Sequence, residues 1–389
     1  MISVTEALAH LFDLVTPLGT EDIPLIEAPG RVLAEPAAAR RDQPPFSASA
    51  MDGYAVNGAA TPGASFDVIG ESAAGHGFDG DLKPGQCTRI FTGAPLPEGA
   101  TRVVIQEDVI RDGDRITLGD KLDPGTHIRP AGGDFRTGDT LDAPRRLSPE
   151  DVALLASMNI PRVTVTRKPS VALIATGDEL VMPGEDPGPD QIIASNSFGL
   201  HALLTALGAA PRLLPIAMDR PQSLRTTFDL AADADLLVTI GGASVGDHDI
   251  VATVAEALGM ERRFYKVAMR PGKPLMGGRL GQAAMIGLPG NPVSAMVCGH
   301  VFVAPVIRKM LGLGARPTAR RTAPLAAPAP ANGPREHYMR ARLTPEGVTI
   351  ADRQDSSLLS VLSAANCLVV RPPNDPAREA GETVEIIDL

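Results

Sequence analysis

Residues 232–258 read ADADLLVTIGGASVGDHDIVATVAEAL. The run Leu236–Ile240 has no polar alternation, so a strand covered on both faces is predicted there. Ile250–Leu258 then carries apolar residues at helical spacing. Between the two stand Gly241, Gly242, Ala243, Ser244, Val245, Gly246, Asp247, His248 and Asp249. Three similar pairs flank this one. VALIAT (171–176) precedes SFGLHALLTAL, PRLLPIAM (211–218) precedes PQSLRTTFDLAA, and AAMIGL (283–288) precedes PVSAMVCGHVFVAPVIRKML. Strand–helix alternation of this kind predicts a doubly wound, mostly parallel sheet. Pro215 moves the second strand toward an edge. Arg263–Met269 reads as a further strand ahead of the turn Pro271-Gly272-Lys273-Pro274.

The flanking regions have other textures. Ser3 and Glu6 fit a capping box, and Val4, Ala7, Leu8, Leu11 and Leu14 follow at helical spacing. Residues 44–56, PPFSASAMDGYAV, break into turns. From about 54 to 129 short β-branched runs alternate with Gly, Pro and Asp, and Asp112-Gly113 reads as a hairpin turn. Ser148-Pro149 opens another helix. Residues 315–334 are dense in Ala and Pro and read as a linker or an irregular crossing segment. HYMRARL, GVTI, NCLVV and TVEII then predict a small C-terminal β-barrel or sandwich.

Composition narrows the function. The chain has 36 Lys and Arg against 46 Asp and Glu, a net charge of −10, which argues against a general nucleic-acid binder. Cys87, Cys298 and Cys367 are far apart, so neither a disulfide framework nor a zinc knot is expected. The N-terminal segment has no basic start or cleavable apolar run, and no membrane-spanning stretch stands out. A cytoplasmic protein is the expectation.

Ligands of open α/β sheets bind beyond the carboxyl ends of the strands. Four loops meet that condition: Thr176–Glu179, Met218–Pro221, Gly241–Asp249 and Gly287–Pro292. Glycines in them bring backbone N–H groups close to a ligand, Ser244 can donate to an oxyanion, and the helix starts near Asp249 and Pro292 add positive dipole ends. Glu179, Asp219, Asp247 and Asp249 repel anions, so a divalent cation between them and a phosphate is the simplest use. Asp219 and Asp249 are also good helix caps. Lys266 and Arg270 fall at even spacing on one predicted strand face, and Lys273 follows in a Pro-Gly turn.

Met51-Asp52-Gly53-Tyr54-Ala55, Thr92-Gly93-Ala94-Pro95, Thr176–Leu180, GGASVGDHD, Pro271–Pro274 and GLPGNPVSA occur in one order. That series resembles the molybdopterin molybdotransferases of the MoeA type, to which the gephyrin E domain is similar, over essentially the whole chain. The resemblance implies Mg²⁺-dependent insertion of molybdate into adenylylated molybdopterin, with release of AMP. It implies a homodimer with four domains per chain. A helix-containing domain is built from 1–43 plus 131–168, a β-rich insert spans 44–130, the α/β domain spans 169–314, and the linker and barrel span 315–389. By position, Asp52 and Thr92 match active-site residues that the insert offers to the partner subunit. Glu179 and Asp249 match the acidic centre, with Asp247, Glu179 and Asp249 as metal ligands. Asp219, Gly241, Gly242, Ser244, Gly246, Asp247, Lys266, Arg270, Lys273, Pro289, Gly290, Asn291, Ser294, Arg129 and Ser363 match substrate-binding positions. Arg270 stands where Lys is common, which keeps charge and changes geometry. The adenylyltransferase of the preceding step and a molybdoenzyme or chaperone acceptor are the implied partners. An adenylyltransferase-like enzyme and a non-catalytic scaffold are the alternatives.

Overall fold

Ser3 and Glu6 close the capping box that their spacing predicts: the Glu6 amide donates to Ser3 Oγ at 3.1 Å, and the Ser3 amide donates to Glu6 Oε2 at 2.8 Å. The helix Val4–Asp13 follows and buries Val4, Ala7, Leu8 and Leu11. Removing Val4, Leu8 and Leu11 from water contributes about 1.5–3 kcal/mol each, and the Ala7 methyl less. The computed structural model describes residues 1–242 and 250–389. The chain divides into two units, one formed by Met1–Glu21, Gly30–Ala34 and Val165–Leu389, the other by Asp22–Pro29 and Glu35–Thr164. Helix Val4–Asp13 packs in the first unit, in one apolar cluster with Leu200, Phe264 and Phe302.

The β-rich unit holds a sheet in the order Arg102–Ile105, Gly53–Val56, Gln86–Ile90, Ser65–Ser72, Arg115–Leu118, Val109–Asp112. Gly53–Val56, expected among turns, is an interior strand with all four residues buried. A Cβ at Gly53 would meet the Val104 backbone, so only glycine lets the neighbouring strand approach there. Asp112 pairs with Arg115, so the hairpin turn is Gly113-Asp114, one residue later than expected, with Gly113 at φ 60°. Ser148 caps the helix Pro149–Ser157 as predicted.

The α/β sheet runs Ala210–Leu213, Ser170–Ala175, Leu236–Ile240, Ala283–Leu288, Met276–Leu280, Glu261–Tyr265. Its first four strands are parallel and the last two antiparallel. The strand Ala210–Leu213 ends before Pro215 and lies at the edge, where a proline removes no ladder bond. From Ser170–Ala175 the chain turns outward to Ala210–Leu213, then crosses to Leu236–Ile240 on the other side. That reversal is the topological switch point of the sheet.

Pro292–Met310 is, among the described residues, long and apolar enough by composition to cross a membrane, yet 78% of its apolar window is buried. It is a core helix, with a π turn at Gly299–Val303. The C-terminal residues form the expected barrel. Strands run Arg321–Pro324, Thr383–Asp388, Cys367–Arg371, Glu336–Thr344, Gly347–Ile350, and a bridge from Leu325 to Val348 joins the ends. Arg321–Pro324 lies in the segment expected to be a linker. A strand poor in large apolar residues and ending in proline suits such a peripheral position.

Candidate functional site

At the switch point lies an open pocket of about 980 Å³, lined by residues of three of the four predicted loops together with Asp219 of the fourth. Its floor is glycine. Gly241 and Gly242 follow the strand Leu236–Ile240 at φ 93° and 66°, a backbone region open chiefly to glycine. A Cβ on Gly241 would stand 2.7 Å from the Thr176 carbonyl oxygen, and one on Gly290 would stand 3.4 Å from Gly241 Cα. Side chains at these positions would fill the cradle.

Two helix starts open onto it. Ser195–Ala206 begins after Ala194 and Pro292–Cys298 after Asn291, neither with a side-chain cap. Their first N–H groups carry the positive ends of the helix dipoles toward the pocket. Asn196 joins the two, its Nδ2 donating to the Gly290 carbonyl at 2.7 Å. Among the described residues Asn196 Oδ1 and Thr176 Oγ1 are buried without hydrogen-bond partners, so the pocket wall holds polar groups that a ligand can satisfy.

The opposite rim is acidic. Glu179 and Asp219 line the pocket, and the Asp219 amide donates to Asp178 Oδ1 at 3.1 Å. Glu179 folds its carboxylate back over Gly177, leaving no room for a side chain there. Loss of water, then the charges of Asp178 and Glu179, push the Asp219 carboxyl above the ordinary range. Asp219 does not cap the next helix. Arg220 precedes Pro221–Leu230, and it makes no capping bond with its side chain. Ser244, Gly246, Asp247, His248 and Asp249 lie outside the described residues.

Pro289, Gly290 and Asn291 line the pocket, whereas Ser294 is buried inside the following helix. Lys266 and Arg270 do not share a strand face. The strand Glu261–Tyr265 stops before Lys266, whose φ of 71° turns the chain, and Lys266 Nζ rests 4.9 Å above the Tyr265 ring. Arg270 belongs to a separate pair, Met269–Arg270, which runs parallel to Glu336–His337 of the barrel. Lys273 is exposed in its turn, next to Pro274 of the pocket wall. Ser363 is exposed on the helix Leu359–Ala364; Ser357, which sequence reasoning missed, lines the pocket instead.

Arg340 was also missed. It is fully buried in the strand Glu336–Thr344, its Nε and Nη1 have no hydrogen-bond partner among the described residues, and Nη2 donates to the Asp355 carbonyl at 2.9 Å. Burial, followed by the charges of Arg270, Arg340, Arg335 and Arg371, pulls the His337 pKa down to about 4. Arg371 is paired with Asp375. Asp355 offsets part of the Arg340 charge, and Arg270 and Arg340 together place positive charge beside the turn Asp355–Ser357, whose far end lines the pocket. The sequence carried no signal for it: in HYMRARL, Arg340 falls in phase with Tyr338 and Arg342, opposite the apolar Met339, Ala341 and Leu343.

Asp52, Thr92 and Arg129 belong to the β-rich unit. The Thr92 amide and Thr92 Oγ1 both donate to Asp52 Oδ1 at 2.8 Å. Those bonds, with the charge of Arg89, hold the Asp52 carboxyl below the ordinary range. Arg129 is exposed in the strand Ile128–Arg129, paired with Ala48–Ser49.

Family models match in three blocks: the MoeA N-terminal region (domain I and II) over residues 2–159, a probable molybdopterin binding domain over 172–309, and the MoeA C-terminal region (domain IV) over 322–389. A molybdopterin molybdenumtransferase of Nostoc sp. is 39% identical over 328 residues, covering 80% of this chain and 75% of its own. Molybdopterin molybdenumtransferase 2 of Mycobacterium tuberculosis is 34% identical over 382 residues and covers 94% of each. The crystal structure of a molybdopterin biosynthesis MoeA protein from Pyrococcus horikoshii superposes with a TM-score of 0.85 at 28% identity, covering 100% of both chains.

Proposed function

The chain belongs to the MoeA family of molybdopterin molybdenumtransferases, and on that premise we propose that it inserts molybdate into adenylylated molybdopterin and releases AMP. The observation that carries this reading is the pocket at the switch point, with an acidic rim on one side and glycines and helix starts on the other. The matches over 2–159 and 322–389 favour it over an adenylyltransferase, and the retained Asp52, Glu179, Asp249, Lys266 and Lys273 favour it over a scaffold.

The roles follow from charge. The phosphates of the adenylate lie against Gly241, Gly242 and Gly290 and the first turns of the two helices. A Mg²⁺ ion suits the other rim, because the negative charge at Asp219 is uncompensated. Among the described residues no three His, Cys, Asp or Glu side chains close into a metal cage. Mg²⁺ tolerates that, taking one or two carboxylates and completing its shell with phosphate oxygens and water. Glu179 and Asp219 are the ligands within the described residues, with Asp249 and Asp247 as further ones. When bound, the ion supplies charge neutralisation at the phosphoryl oxygens. Arg270, Arg340 and Lys273 hold the tetrahedral dianion, and Ser357 and Ser363 lie on the segment that separates barrel from pocket. Asp52 and Thr92 supply a carboxylate and a hydroxyl from the β-rich insert, brought to the pocket in a homodimer.

The four-part division given above and a cytoplasmic location belong to the same reading; all three cysteines are buried and free. The adenylyltransferase of the preceding step would supply the substrate, and a molybdoenzyme or chaperone would take the product. The test is to mix purified protein with adenylylated molybdopterin, Mg²⁺ and molybdate and to follow AMP. Molybdate-stimulated AMP release is expected; its absence, where another family member is active, contradicts the proposal.

A further inference from the structure

Arg89 lies in the strand Gln86–Ile90, directly opposite Tyr54 in the register with Gly53–Val56. Its guanidinium carbon stands 4.8 Å from the Phe91 ring centroid and 5.2 Å from that of Tyr54. Nη1 donates to the Gly53 carbonyl at 3.1 Å, and Nη2 donates to Gln106 Oε1 at 2.6 Å. The Gln106 amide in turn donates to the Asp52 carbonyl at 3.1 Å. Three of these four contacts fall on a residue next to the Asp52–Thr92 pair in sequence or bonded to it, and the fourth, Tyr54, is two residues from Asp52. Gly53 follows Asp52, Phe91 precedes Thr92, and Gln106 holds the Asp52 backbone.

We propose that Arg89 is a positioning residue, a planar clamp that fixes Asp52 against Thr92. The inference rests on the reading of Asp52 and Thr92 as active-site residues. Two separate strands and a 3₁₀ turn, Gln106–Asp108, meet at one side chain. Only a flat, forked cation can stack on two rings while donating to two acceptors set on different segments. Among the described residues Arg89 forms no ion pair with a carboxylate, so its charge is not cancelled locally and acts on Asp52 as well.

Lysine keeps the charge and loses the plane and the fork. Arg89→Lys is expected to lower the turnover number for molybdate-dependent AMP release by about tenfold to a hundredfold, the cost of a small misplacement of a reacting group. KM for the adenylylated substrate should change little, because the clamp touches no substrate. Gln106→Leu, which removes one acceptor, should give a smaller fall of the same kind. The decisive arm is a double-mutant cycle with Asp52→Asn, with thermal unfolding of each variant as the check on folding. If Arg89 acts through Asp52, Arg89→Lys costs nothing further in the Asp52→Asn background. Equal losses in both backgrounds, or wild-type turnover in Arg89→Lys, overturn the inference. Full activity in Asp52→Asn would instead remove the reading of Asp52, and the inference with it.

Discussion

Two carboxyl groups, one in each unit, are displaced in opposite directions. Asp52 is held down by two hydrogen bonds from Thr92, helped by Arg89. Asp219 is pushed up by loss of water and by Asp178 and Glu179. The difference separates two kinds of functional acid. Asp52 already has its partners and serves as a fixed anion. Asp219 stands beside Asp178 and Glu179 in a field that a bound proton or a cation relieves. The β-rich unit therefore carries finished geometry, and the α/β unit carries unfinished charge.

That contrast can be broken most severely at Asp52. Asp52→Asn keeps an acceptor for Thr92 and removes the charge. Molybdate-dependent AMP release should fall by about a hundredfold or more, in line with the loss of a positioned charge in a catalytic site, while thermal unfolding stays close to wild type. Unchanged turnover would remove Asp52 from the chemistry.

Arg340 sharpens the contrast within the α/β unit. Among the described residues its Nε and Nη1 lack hydrogen-bond partners, so Arg340→Met should leave thermal stability unchanged or raised, since a buried and incompletely bonded charge is unfavourable. The apparent affinity for molybdate should fall by about tenfold to a hundredfold, the worth of a charge-assisted hydrogen bond. A variant that unfolds at lower temperature and binds molybdate normally would make Arg340 structural.

The acidic rim gives a smaller effect. Asp219→Asn removes one of three crowded charges, so the metal-free protein should melt slightly higher than wild type. The rise in melting temperature that Mg²⁺ confers in the presence of AMP should shrink. A lower melting point without metal would show that the charges are compensated.

Smallest are the pH effects, and their signs oppose. The raised Asp219 carboxyl makes the folded state bind more protons than the unfolded chain. Stability therefore falls as pH rises from the ordinary carboxyl range through the folded value. The lowered Asp52 contributes stability that is present above the ordinary range and lost as pH falls through its folded value. His337, pulled down to about 4, also costs stability in acid, between its ordinary value and 4. An NMR titration should find the His337 imidazole neutral at pH 6 and move its midpoint upward when molybdate or sulfate is added. A midpoint unmoved by either dianion would place the anion elsewhere.

How much of this was readable without coordinates depended on what each residue's neighbours in sequence reveal. The parallel strands were legible because Leu236–Ile240 and Ala283–Leu288 show no polar alternation, and the caps Ser3 and Ser148 because their bonds are local. The switch-point pocket followed from strand order, since loops after parallel strands share a rim. Lys266 misled, because even spacing implies a common face only while the strand continues, and a left-handed residue ends it. Met276–Leu280 was passed over because Met-Gly-Gly-Arg-Leu has weak strand character and is held by pairing on both sides. Arg340 and Ser357 were invisible as site residues because their function depends on the barrel meeting the α/β sheet, a long-range contact that no local pattern encodes. Arg89 was equally silent: its partners are set by register and a turn far away in sequence.

If the rim formed by Glu179 and Asp219 is a cation seat completed by a phosphate-bearing ligand, Mg²⁺ and AMP must favour each other's binding. Calorimetric titration of Mg²⁺ into the protein with and without AMP tests it most directly. AMP is expected to tighten Mg²⁺ binding, and Glu179→Gln combined with Asp219→Asn to abolish the gain. Mg²⁺ binding that ignores AMP, or that survives the double substitution unchanged, would contradict it.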